Sequence, residues 1–184
     1  VHLKHLQSIF FSITLLQSNN KAFFLENIMA DSQQDTGQFQ CVTFTLEHEI
    51  YGINVMQVQE VLREVEVAPV PGAPHYVLGI INLRGNVVSV IDARTRFGLS
   101  PKDSDDMTRI IVIEVQQQII GILVDSVAEV VDIKRSEIDS APNVGNAESS
   151  KYIDGVVSRG EMLLILVDLN KLLSESEWGE ISGF

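Results

Sequence analysis

The segment YGINVMQVQEV (51–61) returns later in the chain as IIGILVDSVAEV (119–130), and that recurrence decides the fold. Gly52 matches Gly121, Val55 matches Val124, and Val58 matches Val127, each 69 residues apart. Glu60 with Glu129 and Val61 with Val130 keep the same spacing. The spacing then rises to 73, pairing Ala68-Pro69 with Ala141-Pro142 and Gly72 with Gly145. At 76 it pairs Tyr76 with Tyr152, Gly79 with Gly155 and Asp92 with Asp168, while Arg84-Gly85 meets Arg159-Gly160 at 75. Each change falls in a loop, where insertions are tolerated. Such ordered matches are the signature of an internal duplication.

Working outward, FQCVTFTLE (39–47) reads as a strand with Phe39, Cys41 or Val42, Phe44 and Leu46 on or near one face. Glu47-His48-Glu49 is a polar turn, and IYGINV (50–55) is the returning strand. IIVIEV (110–115), QQQ (116–118) and IIGILV (119–124) repeat that arrangement. Neither pair leaves room for a helix between its strands, so an antiparallel sheet is expected. The body therefore holds two copies, about 39–97 and 108–173, joined by the polar segment 98–107. A unit of about 60 residues buries too little surface to be secure alone, so the copies should pack on each other. About five short strands per copy, with glycines at the bends, suggest a small barrel. Each copy ends in a short helix, ARTRF (93–97) and LNKLL (169–173), with Asp92 and Asp168 placed as N-caps. The fold class expected is all-β with short helices.

The net charge of −12 over 184 residues repels phosphate backbones, which argues against a nucleic-acid role. It favours partners carrying basic patches. The single cysteine, Cys41, precludes an internal disulfide and reads as a small core residue. Residues 1–38 differ from the body and are expected to be a leader or disordered tail, with Met29 the natural start. The apolar patch Ile9 to Leu16 is far shorter than the roughly 20 residues a spanning helix needs. No direct membrane insertion is expected. Residues 175–184 are expected to be a C-terminal tail.

Candidate chemistry reduces to Asp92, Asp125 and Asp168, each after an apolar run. At the ends of parallel strands such a trio could hold magnesium for an enzyme. The hairpin between Asp92 and Asp125 argues for an antiparallel sheet instead, and Asp92 and Asp168 have the capping explanation. His2, His5, His48 and His75 form no ligand pair, and no nucleophile-elbow, dinucleotide or phosphate-loop motif occurs. No enzyme activity, metal or cofactor is expected.

Four stretches carry a family resemblance: YGINVMQVQEV (51–61), GIINLRGNVVSVIDAR (79–94), IIGILVDSVAEV (119–130) and GEMLLILVDLNKLL (160–173). Together they resemble the chemotaxis coupling proteins of the CheW type, over about 39–174. Asn82-Leu83-Arg84-Gly85, placed after Gly79 and before a strand ending in Asp92, is the most specific element. The resemblance implies two intertwined SH3-like five-stranded β-barrel subdomains. It implies a non-catalytic cytoplasmic adaptor, recruited to receptor arrays at the membrane. The implied partners are the cytoplasmic tips of methyl-accepting chemoreceptors and the regulatory domain of a chemotaxis histidine kinase. A module of the same fold serving pilus motility or biofilm signalling would carry the same groove.

Carried over residue by residue, the receptor site would use Val58, Glu60, Gly79, Arg84 and Gly85, with Val127 and Val130 from the second copy. An arginine fork suits a partner's carboxylates and carbonyls. The plain structural reading stands beside it. The three valines serve equally as core. Glu60 and Arg84 could form a structural ion pair, which Glu129 and Arg159 would repeat.

Overall fold

Each internal copy lends its first hairpin to the other, and this exchange sets the architecture. The computed structural model of the chain describes residues 37–63, 65–140 and 149–181. The leader, the Met29 start, and the matches Ala141-Pro142 and Gly145 therefore lie outside the described residues. The first copy supplies β1 (Gln38–Leu46), β2 (Glu49–Asn54), β3 (Val58–Leu62), β4 (Val77–Leu83), β5 (Asn86–Asp92) and helix α1 (Ala93–Arg96). The second supplies β6 (Arg109–Val115), β7 (Gln118–Val124), β8 (Ser126–Lys134), β9 (Ile138–Asp139), β10 (Ile153–Arg159) and β11 (Met162–Val167). A 3-10 turn (Leu169–Lys171) and helix α2 (Glu175–Ile181) follow.

The strands form a six-stranded sheet, β8-β1-β2-β11-β10-β9, and a five-stranded sheet, β3-β6-β7-β5-β4. The β1–β2 hairpin thus sits among second-copy strands, and β6–β7 among first-copy strands. The intertwining that the family resemblance implies is present, since each sheet draws strands from both copies rather than each copy closing on itself. The wholly antiparallel expectation is corrected. β2 runs parallel to β11, with Gly52 opposite Leu166, and β5 runs parallel to β7, with Val90 opposite Gly121. Partners in these pairs come from different copies, so no crossover helix between consecutive strands is required.

Three apolar clusters explain why both faces of so many strands are buried. Cys41, Ile133, Val157, Leu164 and Leu166 fill one sheet's own concavity. Ile81, Val88, Val90, Ile110 and Val112 fill the other's. A larger cluster lies between the sheets and includes Phe44, Leu46, Ile91, Ile122, Leu169 and Trp178. β1 accordingly splits its side chains: Phe39 and Cys41 face one cluster, while Val42, Phe44 and Leu46 face another. Cys41 is 1% exposed, and burial pushes its thiol up to about 12, which leaves it a packing residue without a reactive thiolate.

The expected tail is in part structural. Residues 175–181 form α2, with Trp178 and Ile181 buried in the central cluster. A capping box starts it: Ser174 N donates to Glu177 Oε2 at 2.7 Å, and Glu177 N donates to Ser174 Oγ at 3.4 Å. Among the described residues, no helix is long and apolar enough to cross a membrane.

Candidate partner-binding site

The sequence Leu83-Arg84-Gly85-Asn86 makes the tight turn between β4 and β5, with Leu83 opposite Asn86. Arg84 (φ 52) and Gly85 (φ 90) are both left-handed, as a two-residue hairpin loop demands. Asn82 fastens the turn, its Oδ1 accepting from Gly85 N at 2.8 Å. An arginine held left-handed costs about 1 kcal/mol relative to glycine. The two-residue loop places its side chain at the tip of the hairpin.

There Arg84 Nη2 donates to Glu60 Oε2 at 2.9 Å. Glu60 stands on β3, just after a register shift against β6 between Val58 and Glu60. β3 and β4 are the outer strands of the five-stranded sheet, so this pair shows how far the sheet curls. The Arg84 side chain is 72% exposed, while that of Glu60 is 10% exposed. A nearly buried carboxylate therefore anchors one corner of a guanidinium whose other donors face solvent.

The remaining candidates divide. Val58 is buried at 4% in the central cluster and acts as core. Val127 and Val130 on edge strand β8 are half-buried against that same cluster. Thus β3 and β8 both border the seam between the sheets. Gly79 (φ +149) lies under the segment before β4, where a Cβ would come within 2.1 Å of Ala68 O. Its role is to admit that backbone, which pairs Ala68 with Ile80. Glu60, Arg84 and Gly85 are brought together, and the valines sit along the adjoining seam.

The second copy does not repeat the pair. Glu129 is exposed, and its main-chain N–H and carbonyl bond the Thr43 hydroxyl at 3.1 and 2.8 Å. Arg159 Nη2 instead reaches Glu137 Oε2 at 2.7 Å and the Asp132 carbonyl at 2.5 Å. The idea of a repeated Glu–Arg brace is corrected, although both arginines do make ion pairs.

The aspartate trio is engaged structurally. Asp92 accepts from Arg94 N at 2.9 Å and from Thr95 Oγ1 at 2.6 Å, and Asp168 accepts from Asn170 N at 3.0 Å. Because β5 and β7 are parallel, Asp92 and Asp125 do lie at the same sheet end, contrary to the antiparallel argument. Asp125 is nonetheless gripped by Arg94, with Nε and Nη2 each 2.6 Å from its oxygens. The Arg94 guanidinium holds that carboxyl below its ordinary 3.8. Among the described residues no group of three or more potential ligands converges on a metal site. Sequence reasoning missed the Arg94–Asp125 grip and the seating of Arg96 between Tyr76 and Tyr152. The matched tyrosines were the one available signal for the latter.

An exposed guanidinium anchored by a nearly buried carboxylate, with no converging group of potential metal ligands among the described residues, suits a protein that binds others. The comparisons agree in sequence and in structure. The family model for the CheW-like domain matches residues 40–177. The chemotaxis protein CheW of Treponema pallidum (strain Nichols) is 38% identical over 150 residues, covering 79% of this chain and 88% of that protein. Its counterpart in Klebsiella aerogenes is 37% identical over 134 residues, covering 73% and 81%. The crystal structure of the scaffolding protein TtCheW from Thermoanaerobacter tengcongensis superposes with a TM-score of 0.70 at 32% identity, covering 76% of this chain and 94% of that one. The chain belongs to the CheW-like domain family and is a chemotaxis coupling adaptor.

Proposed function

We propose that this chain joins the cytoplasmic tips of methyl-accepting chemoreceptors to the regulatory domain of a chemotaxis histidine kinase, in the cytoplasm at receptor arrays. It does so without catalysis, and the reading calls for no cofactor. The receptor side is Arg84, Glu60 and Gly85, flanked along the seam by Val127 and Val130. Val58 and Gly79 support that surface from beneath. The observation that carries this is the Arg84–Glu60 pair, with its arginine 72% exposed and its glutamate 10% exposed. Such a guanidinium is oriented in advance, so a receptor helix gains its donors at little entropic cost. The kinase occupies a different surface. The test is co-precipitation with a purified receptor tip fragment and kinase, alone and together. A ternary complex is expected, and a chain that recruits either partner only by excluding the other would overturn coupling.

A further inference from the structure

A second surface lies at the far end of β4. Tyr76 immediately precedes that strand and Arg84 follows it, so seven residues, about 20 Å, separate them. Here a groove of about 720 Å³ opens between the two copies. Equivalent positions line it from both sides: His75 with Lys151, Tyr76 with Tyr152, and Thr95 with Lys171, each 76 residues apart. The groove thus straddles the axis that relates the copies.

Its floor is the Arg96 guanidinium, stacked over Tyr76 at 4.9 Å and over Tyr152 at 5.1 Å. The Nε atom donates to the Leu172 carbonyl at 2.7 Å, and both Nη atoms donate to the Glu177 carboxylate at 2.9 Å. Among the described lining residues Glu177 is the one carboxylate, whereas Arg96, Lys151 and Lys171 are three cations. The whole chain has only 13 lysines and arginines against a net charge of −12, so this concentration runs against the overall balance. Lys151 is exposed and makes no ion pair among the described residues. Lys171 pairs with Asp168 at 3.0 Å, yet stays 54% exposed, with donors left over. The chain's own Glu177, carried on α2, displays the kind of group the groove accepts: a side-chain carboxylate on a polypeptide.

We infer that this groove docks an acidic segment of a partner protein, its carboxylates meeting Lys151 and Lys171 and its apolar atoms covering the tyrosine rings. The inference is independent of the receptor site, since it uses none of the same residues. Charge complementarity selects the acidic partner, and the open, two-sided shape suits a peptide chain.

The test is a titration of the isotope-labelled full chain with an octaglutamate peptide, read by amide shifts in nuclear magnetic resonance. Saturable shifts are expected at His75, Lys151, Tyr152 and Lys171, shrinking as salt is raised. Octaglutamine and octalysine should produce none. The double variant Lys151→Glu, Lys171→Glu should weaken binding by about tenfold or more, the loss of two charge-assisted contacts. Lys151→Gln with Lys171→Gln gives the same comparison should charge reversal disturb folding. Arg84→Ala should bind octaglutamate like the parent. Shifts absent from the groove, or unchanged affinity in a folded double variant, would overturn the inference. Inorganic phosphate producing the same shifts with equal affinity would also overturn it, in favour of a small-anion site.

Discussion

Arg84 and Glu60 meet at 2.9 Å across the curl of the five-stranded sheet, one at a hairpin tip and the other on the opposite outer strand. The pair is unequal. Glu60 has left water and depends on Arg84, whereas Arg84 keeps most of its guanidinium in solvent. An exposed ion pair contributes little to stability. A buried carboxylate deprived of its partner costs about 1–3 kcal/mol. Mutation of the arginine therefore touches both stability and binding, and the two effects have to be separated by measurement.

Asp125, just after β7, is held by Arg94, just after the neighbouring strand β5, with the two side chains 13% and 11% exposed. Its carboxyl has a depressed folded-state pKa, chiefly through the hydrogen bonds from Arg94. The associated stability is full above the ordinary carboxylate value of 3.8 and is lost as pH falls through the lower folded value. Melting temperature should thus drop below about pH 4 in the parent and more shallowly in Asp125→Asn. At neutral pH, Asp125→Ala should cost about 3 kcal/mol in denaturant unfolding, because the nearly buried Arg94 loses both short bonds to its carboxylate and keeps only the Ser100 carbonyl and Glu47 at 3.6 Å.

Gly79 and Gly85 should respond differently to alanine. At Gly79 the new Cβ would meet Ala68 O at 2.1 Å with φ at +149, so Gly79→Ala should lose about 3 kcal/mol or more. At Gly85 nothing lies within 4 Å and only the φ of +90 resists, so Gly85→Ala should lose about 1 kcal/mol. Urea unfolding of both variants checks the order, and equal losses would remove the packing role given to Gly79.

Helix α2 belongs to the folded body. Trp178 is 4% exposed, so Trp178→Ala should cost about 3–5 kcal/mol in chemical denaturation. A loss under about 1 kcal/mol would show α2 to be a loosely attached appendage.

Much of this fold was legible in the sequence because it is local. The hairpins β1–β2 and β6–β7, the cap residues Asp92 and Asp168, and the Asn82-Leu83-Arg84-Gly85 turn depend on neighbours a few positions away. The pairing of Glu60 with Arg84 was legible as one of two readings. The exchange of hairpins was not visible in residue patterns, since Gly52 beside Leu166 and Gly121 beside Val90 are set by how the copies pack. The Arg94–Asp125 grip spans 31 positions and leaves no periodic trace. The replacement of Glu129 by Glu137 as partner of Arg159 follows from the 3-10 turn Arg135–Glu137, which brings that carboxylate to the sheet mouth. For α2 the signal was present in Ser174-Glu175-Ser176-Glu177 ahead of Trp178, a capping box that the polar composition obscured.

The central claim, that Arg84 is the receptor anchor, is tested most directly by calorimetric titration of a chemoreceptor tip fragment into Arg84→Ala and Arg159→Ala, with melting curves on the same preparations. Both variants should lose some stability, since each arginine has an ion-pair partner. Only Arg84→Ala should lose receptor affinity, by about 2 kcal/mol or roughly thirtyfold, while still binding the kinase. Arg159→Ala should bind the receptor like the parent. A folded Arg84→Ala protein with undiminished receptor affinity, or equal affinity losses in the two variants, would contradict the account.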